Sequence, residues 1–121
     1  MTCHVARRVR AFARRLRHDR REVFHALVTT DVELTGCERH YPGDFLDDAA
    51  TDTACRLLAR LEERDRRELA EIEAAEERLC TETFGRCDAC ARPLPLSRLR
   101  ALPTARLCVA CEQTVERTLS R

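Results

Sequence analysis

Apolar side chains recur at Val5, Val9, Phe12, Leu16, Val23, Leu27 and Leu34, in the alternating steps of four and three that make a coiled-coil seam. The pattern predicts one long helix over residues 5–34, with Asp19 and Thr30 at its two non-apolar seam positions. Residues 35–48 break the rhythm. Gly36 is expected to end the helix in a left-handed conformation, and Pro42-Gly43 signals a turn. Asp44, Asp47 and Asp48 then suit the first turn of a second helix, where carboxylates meet unpaired backbone N–H groups. That helix is predicted over residues 49–83, with an apolar stripe of Leu57, Leu58, Leu61, Leu69, Ile72 and Leu79.

The polar faces of the two segments differ in sign. The first carries Arg at 7, 8, 10, 14, 15, 17, 20 and 21, and the second carries Glu at 62, 63, 68, 71, 73, 76 and 77. Folding back antiparallel sets these runs side by side, and many weak pairs together bias the alignment. With the turn centred near residues 40–43, partner numbers add to about 84. That register sets Val5 against Leu79, Val9 against Ala75, Phe12 against Ile72, Asp19 against Asp65, Val23 against Leu61, Leu27 against Leu57 and Thr30 against Ala54. Leu16 meets Glu68 or Leu69. Each arm would reach roughly 45–50 Å at ~1.5 Å per residue. The arginine run reads either as a phosphate-binding surface or as a solvated face paired with acid on its neighbour.

Beyond residue 83 the chemistry changes. Cys87-Asp88-Ala89-Cys90 is answered by Cys108-Val109-Ala110-Cys111 after a gap of 17 residues, within the spacing of four-thiolate zinc sites. Each Cys-x-x-Cys turn aims two sulfurs at one ion, and two turns complete a tetrahedron. A site closed by four sulfurs leaves no position for water, so the expected zinc is structural. Pro93 and Pro95 are expected to forbid a regular helix between the pairs, Pro103 marks a turn, and residues 112–119 read as a short terminal helix. The expected fold is therefore all-α: a long antiparallel hairpin over 1–84 with an acidic tip near 40–49, and a four-cysteine finger with its helix over 85–121.

Composition sharpens this picture. The chain has 121 residues, 4% aromatic and 36% charged, a poor recipe for a globular core and a good one for exposed helices. Its net charge of +1 gives little support for nonspecific binding to nucleic acid. No apolar run approaches a membrane span, and no apolar segment follows the N-terminal arginines as a secretory signal requires. The zinc spacing points to a reducing cytoplasm. Cys3, Cys37, Cys55 and Cys80 match no ligand pattern and read as small, partly buried side chains or free thiols, with a weak option of Cys3-His4 binding metal.

These residues resemble the DksA/TraR family of bacterial transcription regulators over residues 44–112. The family's finger pattern is matched by Phe84, Gly85, Cys87, Cys90, Leu94, Arg98, Leu99, Ala101, Pro103, Ala105, Cys108 and Cys111, and its tip pattern by Asp44, Asp47 and Ala49. The resemblance implies a protein that binds RNA polymerase directly and inserts its coiled coil through the secondary channel. It implies that Asp44 and Asp47 act at the tip, with Ala49 packing beneath them, and alter promoter-complex lifetime. The same aspartates also read simply as first-turn helix residues. There are departures. Ala91 stands where the family has glycine, which would strain it if the position needs positive φ. The chain starts almost at the hairpin, as in short, TraR-like members. Where some members bind guanosine tetraphosphate with basic side chains, this chain has Glu71, Leu102 and Glu112, which implies weak or absent dependence on that nucleotide.

A monomeric polymerase-binding regulator without sequence-specific DNA contact is thus the leading expectation. Two others remain. A coiled-coil assembly adaptor would self-associate. A zinc-finger DNA binder would need a basic helix by the finger, and residues 112–121 offer Arg117 and Arg121 against Glu112 and Glu116. An enzyme is not expected, for lack of a nucleophile–base set, a phosphate-binding glycine loop or an open metal position.

Overall fold

A computed structural model describes residues 3–38 and 45–120, with the side chains of 3–6, 38 and 45–48 left aside. Two long helices, α1 (Cys3–Glu38) and α2 (Phe45–Cys80), form the antiparallel hairpin, and two short ones, α3 (Leu96–Ala101) and α4 (Val109–Leu119), flank the cysteine pairs. Among the described residues there is no strand, only an isolated antiparallel bridge between Arg86 and Pro93. The chain divides into two compact units: residues 1–17 with 71–121, and residues 18–70.

The inward face of α1 follows the expected seam. Val9, Phe12, Leu16, Asp19, Val23, Leu27, Thr30 and Leu34 are buried or half-buried, and Cys37 continues the series. Thr30 tolerates burial because its hydroxyl donates to the carbonyl of Ala26 at 2.9 Å. Three expectations for the helices change. Gly36 does not end α1, which runs on to Glu38. A Cβ at Gly36 would meet nothing within 4 Å, so it is an ordinary exposed helical position. α3 forms between the cysteine pairs, because Pro95 occupies its N-cap and the next proline comes only at 103, past its end. α4 begins at Val109, before Cys111.

The register also differs. On α2 the buried or half-buried positions are 51, 55, 58, 62, 65, 69, 72, 74, 75, 76, 78 and 79, so the seam passes through Leu58 and leaves Leu57 54% and Leu61 45% exposed. Ala54 is exposed as well. Val23, Leu27 and Thr30 therefore do not meet Leu61, Leu57 and Ala54. The physical reason is covalent. Cys37 is joined to Cys55 by a disulfide, with Cα atoms 6.0 Å apart. The expected register would set Cys37 beside residue 47, about two helical turns earlier along α2. Of the cysteines expected as small, partly buried side chains or free thiols, Cys37 and Cys55 are half-buried but bonded to each other rather than free, whereas Cys80 is an exposed free thiol.

The unit of 1–17 and 71–121 holds most of the core. Leu16 and Ile72 are its largest fully buried side chains, beside Ala75. Cys87, Leu94, Leu99 and Ala105 form a second buried cluster, against which Phe12, Phe84 and Leu107 pack. The rings of Phe12 and Phe84 lie 5.3 Å apart at 49°, an aromatic contact that fastens α1 to the segment entering the finger. Arg15 adds a hydrogen bond to the backbone carbonyl of Arg100. The end of α2 is a Schellman-type stop: Glu82 has φ 61 and the Thr83 N–H donates to the Arg78 carbonyl at 3.0 Å.

Leu16 is fully buried, so Leu16→Ala removes apolar contact and leaves a cavity that costs about 2–5 kcal/mol. Thermal unfolding followed by circular dichroism will show a lower midpoint, whereas Leu57→Ala, at an exposed site, will change it little.

Candidate metal centre

Local hydrogen bonds build the finger. Gly85 takes φ 85, which turns the chain so that its carbonyl accepts from the Leu94 N–H at 2.7 Å. The Cys87 N–H donates to the Arg92 carbonyl at 2.9 Å, and the Ala91 N–H returns to the Cys87 carbonyl at 2.9 Å, closing the first Cys-x-x-Cys turn. The second pair lies at the entrance to α4, with Cys108 at its N-cap. An Asp88 N–H bond to the Arg106 carbonyl at 2.9 Å ties the two segments together.

These turns bring Cys87, Cys90, Cys108 and Cys111 together, their sulfurs all within 4.8 Å of one another. They are the one such cluster of metal-capable side chains among the described residues. Sγ of Cys90 and Sγ of Cys108 lie 3.8 Å apart, and a tetrahedron with Zn–S bonds of about 2.3 Å has edges of roughly 3.8 Å. The donor set and its size fit one structural zinc ion. Cys87 is buried, Cys108 and Cys111 are half-buried, and Cys90 is exposed.

Backbone dipoles prepare the sulfurs. The Cys108 N–H points at Sγ of Cys87 from 3.3 Å. That contact, with further N–H groups of Cys90 and Ala89, lowers the Cys87 pKa to about 6 against the opposing effect of burial. Cys108 is also lowered, chiefly by the Cys111 backbone N–H. Cys111 is pushed up to about 12, first by its side-chain hydrogen bond with Cys108 and then by Cys87. A cation supplies the charge that lets all four act as thiolates.

Side chains outside the cluster brace it. Arg98 donates from Nε to the Leu107 carbonyl at 3.0 Å and pairs with Glu112 at 2.6 Å, linking α3, the second cysteine pair and α4. Arg78 reaches the Thr104 carbonyl at 3.3 Å. Burial lowers its pKa, and Asp88 offsets part of that effect. Arg98 belongs to the recognised pattern, but its bracing role was not legible in the sequence, because both partners are set by the fold. Glu71, Leu102 and Glu112 line one open cavity of about 160 Å3 with Arg98 and Arg106. Of the tip residues, Asp44 lies outside the described residues, Asp47 falls in the first turn of α2 with its side chain outside them, and Ala49 is exposed on α2.

Ala91 has φ 61, the left-handed conformation that its place in the pattern raised as a question. A non-glycine residue there costs about 1–2 kcal/mol, and glycine would return roughly 0.5–1 kcal/mol of that in chain entropy. Because Ala91 is exposed, its methyl group contributes little packing. Ala91→Gly is expected to stabilise the finger by about 0.5–1 kcal/mol, seen as a higher unfolding midpoint and slower zinc loss to a chelator.

Residues 82–117 match the prokaryotic dksA/traR C4-type zinc finger. RNA polymerase-binding transcription factor DksA of Haemophilus influenzae is 37% identical over 73 residues, which cover 60% of this chain and 50% of that protein. The protein of the same name from Buchnera aphidicola is 33% identical over 95 residues, covering 78% of this chain and 60% of its own. The chain thus spans about half the length of the curated relatives it matches. Transcription factor DksA2 from Pseudomonas aeruginosa superposes with a TM-score of 0.80 at 30% identity, over 93% of this chain and 86% of that one. On the shared hairpin, the four-cysteine finger and this likeness across nearly its whole length, the chain belongs to the DksA/TraR family.

Proposed function

We propose that this protein regulates bacterial transcription by binding RNA polymerase, with its hairpin entering the secondary channel and its acidic tip altering promoter-complex stability. The observation that carries the reading is the likeness of hairpin and finger together to a transcription factor over most of both chains. In this reading Cys87, Cys90, Cys108 and Cys111 ligate the zinc and hold the base of the hairpin, while Asp44, Asp47 and Ala49 form the regulatory tip. The tip carboxylates act on the catalytic Mg2+, on basic polymerase side chains or on mobile catalytic elements. The protein is a cytoplasmic monomer, makes no sequence-specific contact with DNA and is not an enzyme. No described helix is long and apolar enough to cross a membrane.

Guanosine tetraphosphate is proposed to matter little. Glu71, Leu102 and Glu112, where some family members have basic side chains, line one cavity with Arg98 and Arg106. Arg98 is paired with Glu112, and the remaining charges lining the cavity, Glu71 and Arg106, balance, so a polyanion meets no net positive charge there.

A second reading draws on one observation. Phe24, Val28 and Val32 are all exposed and, at steps of four, share one face of α1, as an assembly adaptor would require. A stable oligomer in light scattering with no affinity for polymerase distinguishes that case.

Cys90→Ser or Cys108→Ser is expected to drop bound zinc from one ion per chain to near none and to unfold the finger end. Metal analysis with circular dichroism checks this, and a folded, metal-free variant would refute the structural role. Asp44→Asn with Asp47→Asn should leave polymerase pull-down largely intact while abolishing the effect on a sensitive promoter in vitro, with or without added guanosine tetraphosphate. Unchanged regulation by this variant, or a strict nucleotide requirement in the parent protein, would count against the respective parts of the proposal.

A further inference from the structure

The unit of residues 18–70 is thinly packed. Among its described side chains only Val23 and Thr30 are buried, both from α1, and α2 contributes none. Its large apolar residues are split: Val23, Leu27 and Leu34 on α1 and Leu58 and Leu69 on α2 face inward, whereas Phe24, Val28 and Val32 on α1 and Leu57 and Leu61 on α2 are exposed. Between Leu58 and Leu69 the inward face of α2 carries Glu62 and Asp65, and the Glu62 carboxylate is taken by Arg66 of its own helix at 2.6 Å. The two arms are therefore held by a narrow apolar seam interrupted by polar positions, and the Cys37–Cys55 bond adds a covalent tie that restricts their register.

We propose that the Cys37–Cys55 disulfide is a redox-operated latch on this unit, opened by a dithiol reductant and closed by a disulfide or peroxide oxidant. Both residues are half-buried, so a small or protein thiol can reach them. A reductant thiolate attacks one sulfur and breaks the S–S bond. This forms a mixed disulfide, and the other cysteine leaves as a thiolate and is protonated. The second thiol of the reductant then displaces the bound cysteine, so the reductant departs as a disulfide and both cysteines are thiols. Reclosure removes two electrons: an incoming disulfide is reduced to two thiols, or peroxide to two waters by way of a sulfenic acid. In a reducing compartment such a bond is transient or sensing rather than a permanent staple. The transcriptional consequence alone rests on the reading above: the latched form is the regulating one, because Asp44 and Asp47 lie in the chain segment that the bond closes into a loop.

Hydrogen exchange on the full zinc-loaded chain, before and after dithiothreitol with zinc content followed, tests the latch. Reduction should speed exchange of amides in residues 30–37 and 49–58 on the order of tenfold to a hundredfold, with residues 71–120 unchanged. Cys37→Ser with Cys55→Ser should exchange at the opened rate throughout and ignore the reductant. Protection that survives reduction would overturn the proposal. So would an equal response in the double variant, which would assign it to the finger sulfurs, or both thiols remaining open to alkylation after oxidation. In vitro transcription separates the two ideas: exchange that responds while neither form regulates a promoter keeps the latch and removes the polymerase reading.

Discussion

Four sulfurs within 4.8 Å of one another are a stable arrangement only if something cancels their charge. Without a cation, backbone N–H groups favour the thiolate at Cys87 and Cys108 while Cys111 holds its proton far above the usual thiol range. A zinc ion removes that conflict and returns a binding free energy of about 10–16 kcal/mol in small fingers at neutral pH. Much of the remaining order near the base follows from it. The two Cys-x-x-Cys turns are fixed, α4 is anchored at its N-terminus, and Leu94, Leu99 and Ala105 close over Cys87.

The same core extends into the helices. Phe12 packs against this cluster and meets Phe84, Arg15 bonds to the end of α3, and Arg78 near the end of α2 reaches the loop at Thr104. The metal thus does more than order a small finger. It pins α1 around Phe12 and Arg15 and the end of α2 around Arg78, in helices that would be marginal as an isolated charged pair. The cost is local strain at Ala91, held in a left-handed turn by neighbours that the metal fixes.

Residues 18–70 are held by a different device. Their seam mixes apolar with polar positions, few side chains are buried and several large apolar ones face outward. A covalent bond between α1 and α2 therefore sets the alignment that packing alone defines weakly. Cysteine chemistry holds both units, through metal in one and a disulfide in the other.

The sequence by itself determined the elements and the zinc module. The step pattern marked the α1 seam from Val9 to Leu34 because a buried helical stripe must repeat at its own period, and cysteine spacing marked the metal site because two short turns are how a chain aims four sulfurs at one ion. The Ala91 strain was also legible, from one residue standing where a glycine pattern expects none. The tertiary structure decided the rest. Leu57, Leu58 and Leu61 offer two adjacent faces to a partner, so periodicity could not choose between them until Cys37 met Cys55. The Phe12–Phe84 contact, the Arg98 brace and the disulfide join residues far apart in sequence. Spacing constrains neighbours along one element, whereas such pairings exist only once the chain has folded back on itself.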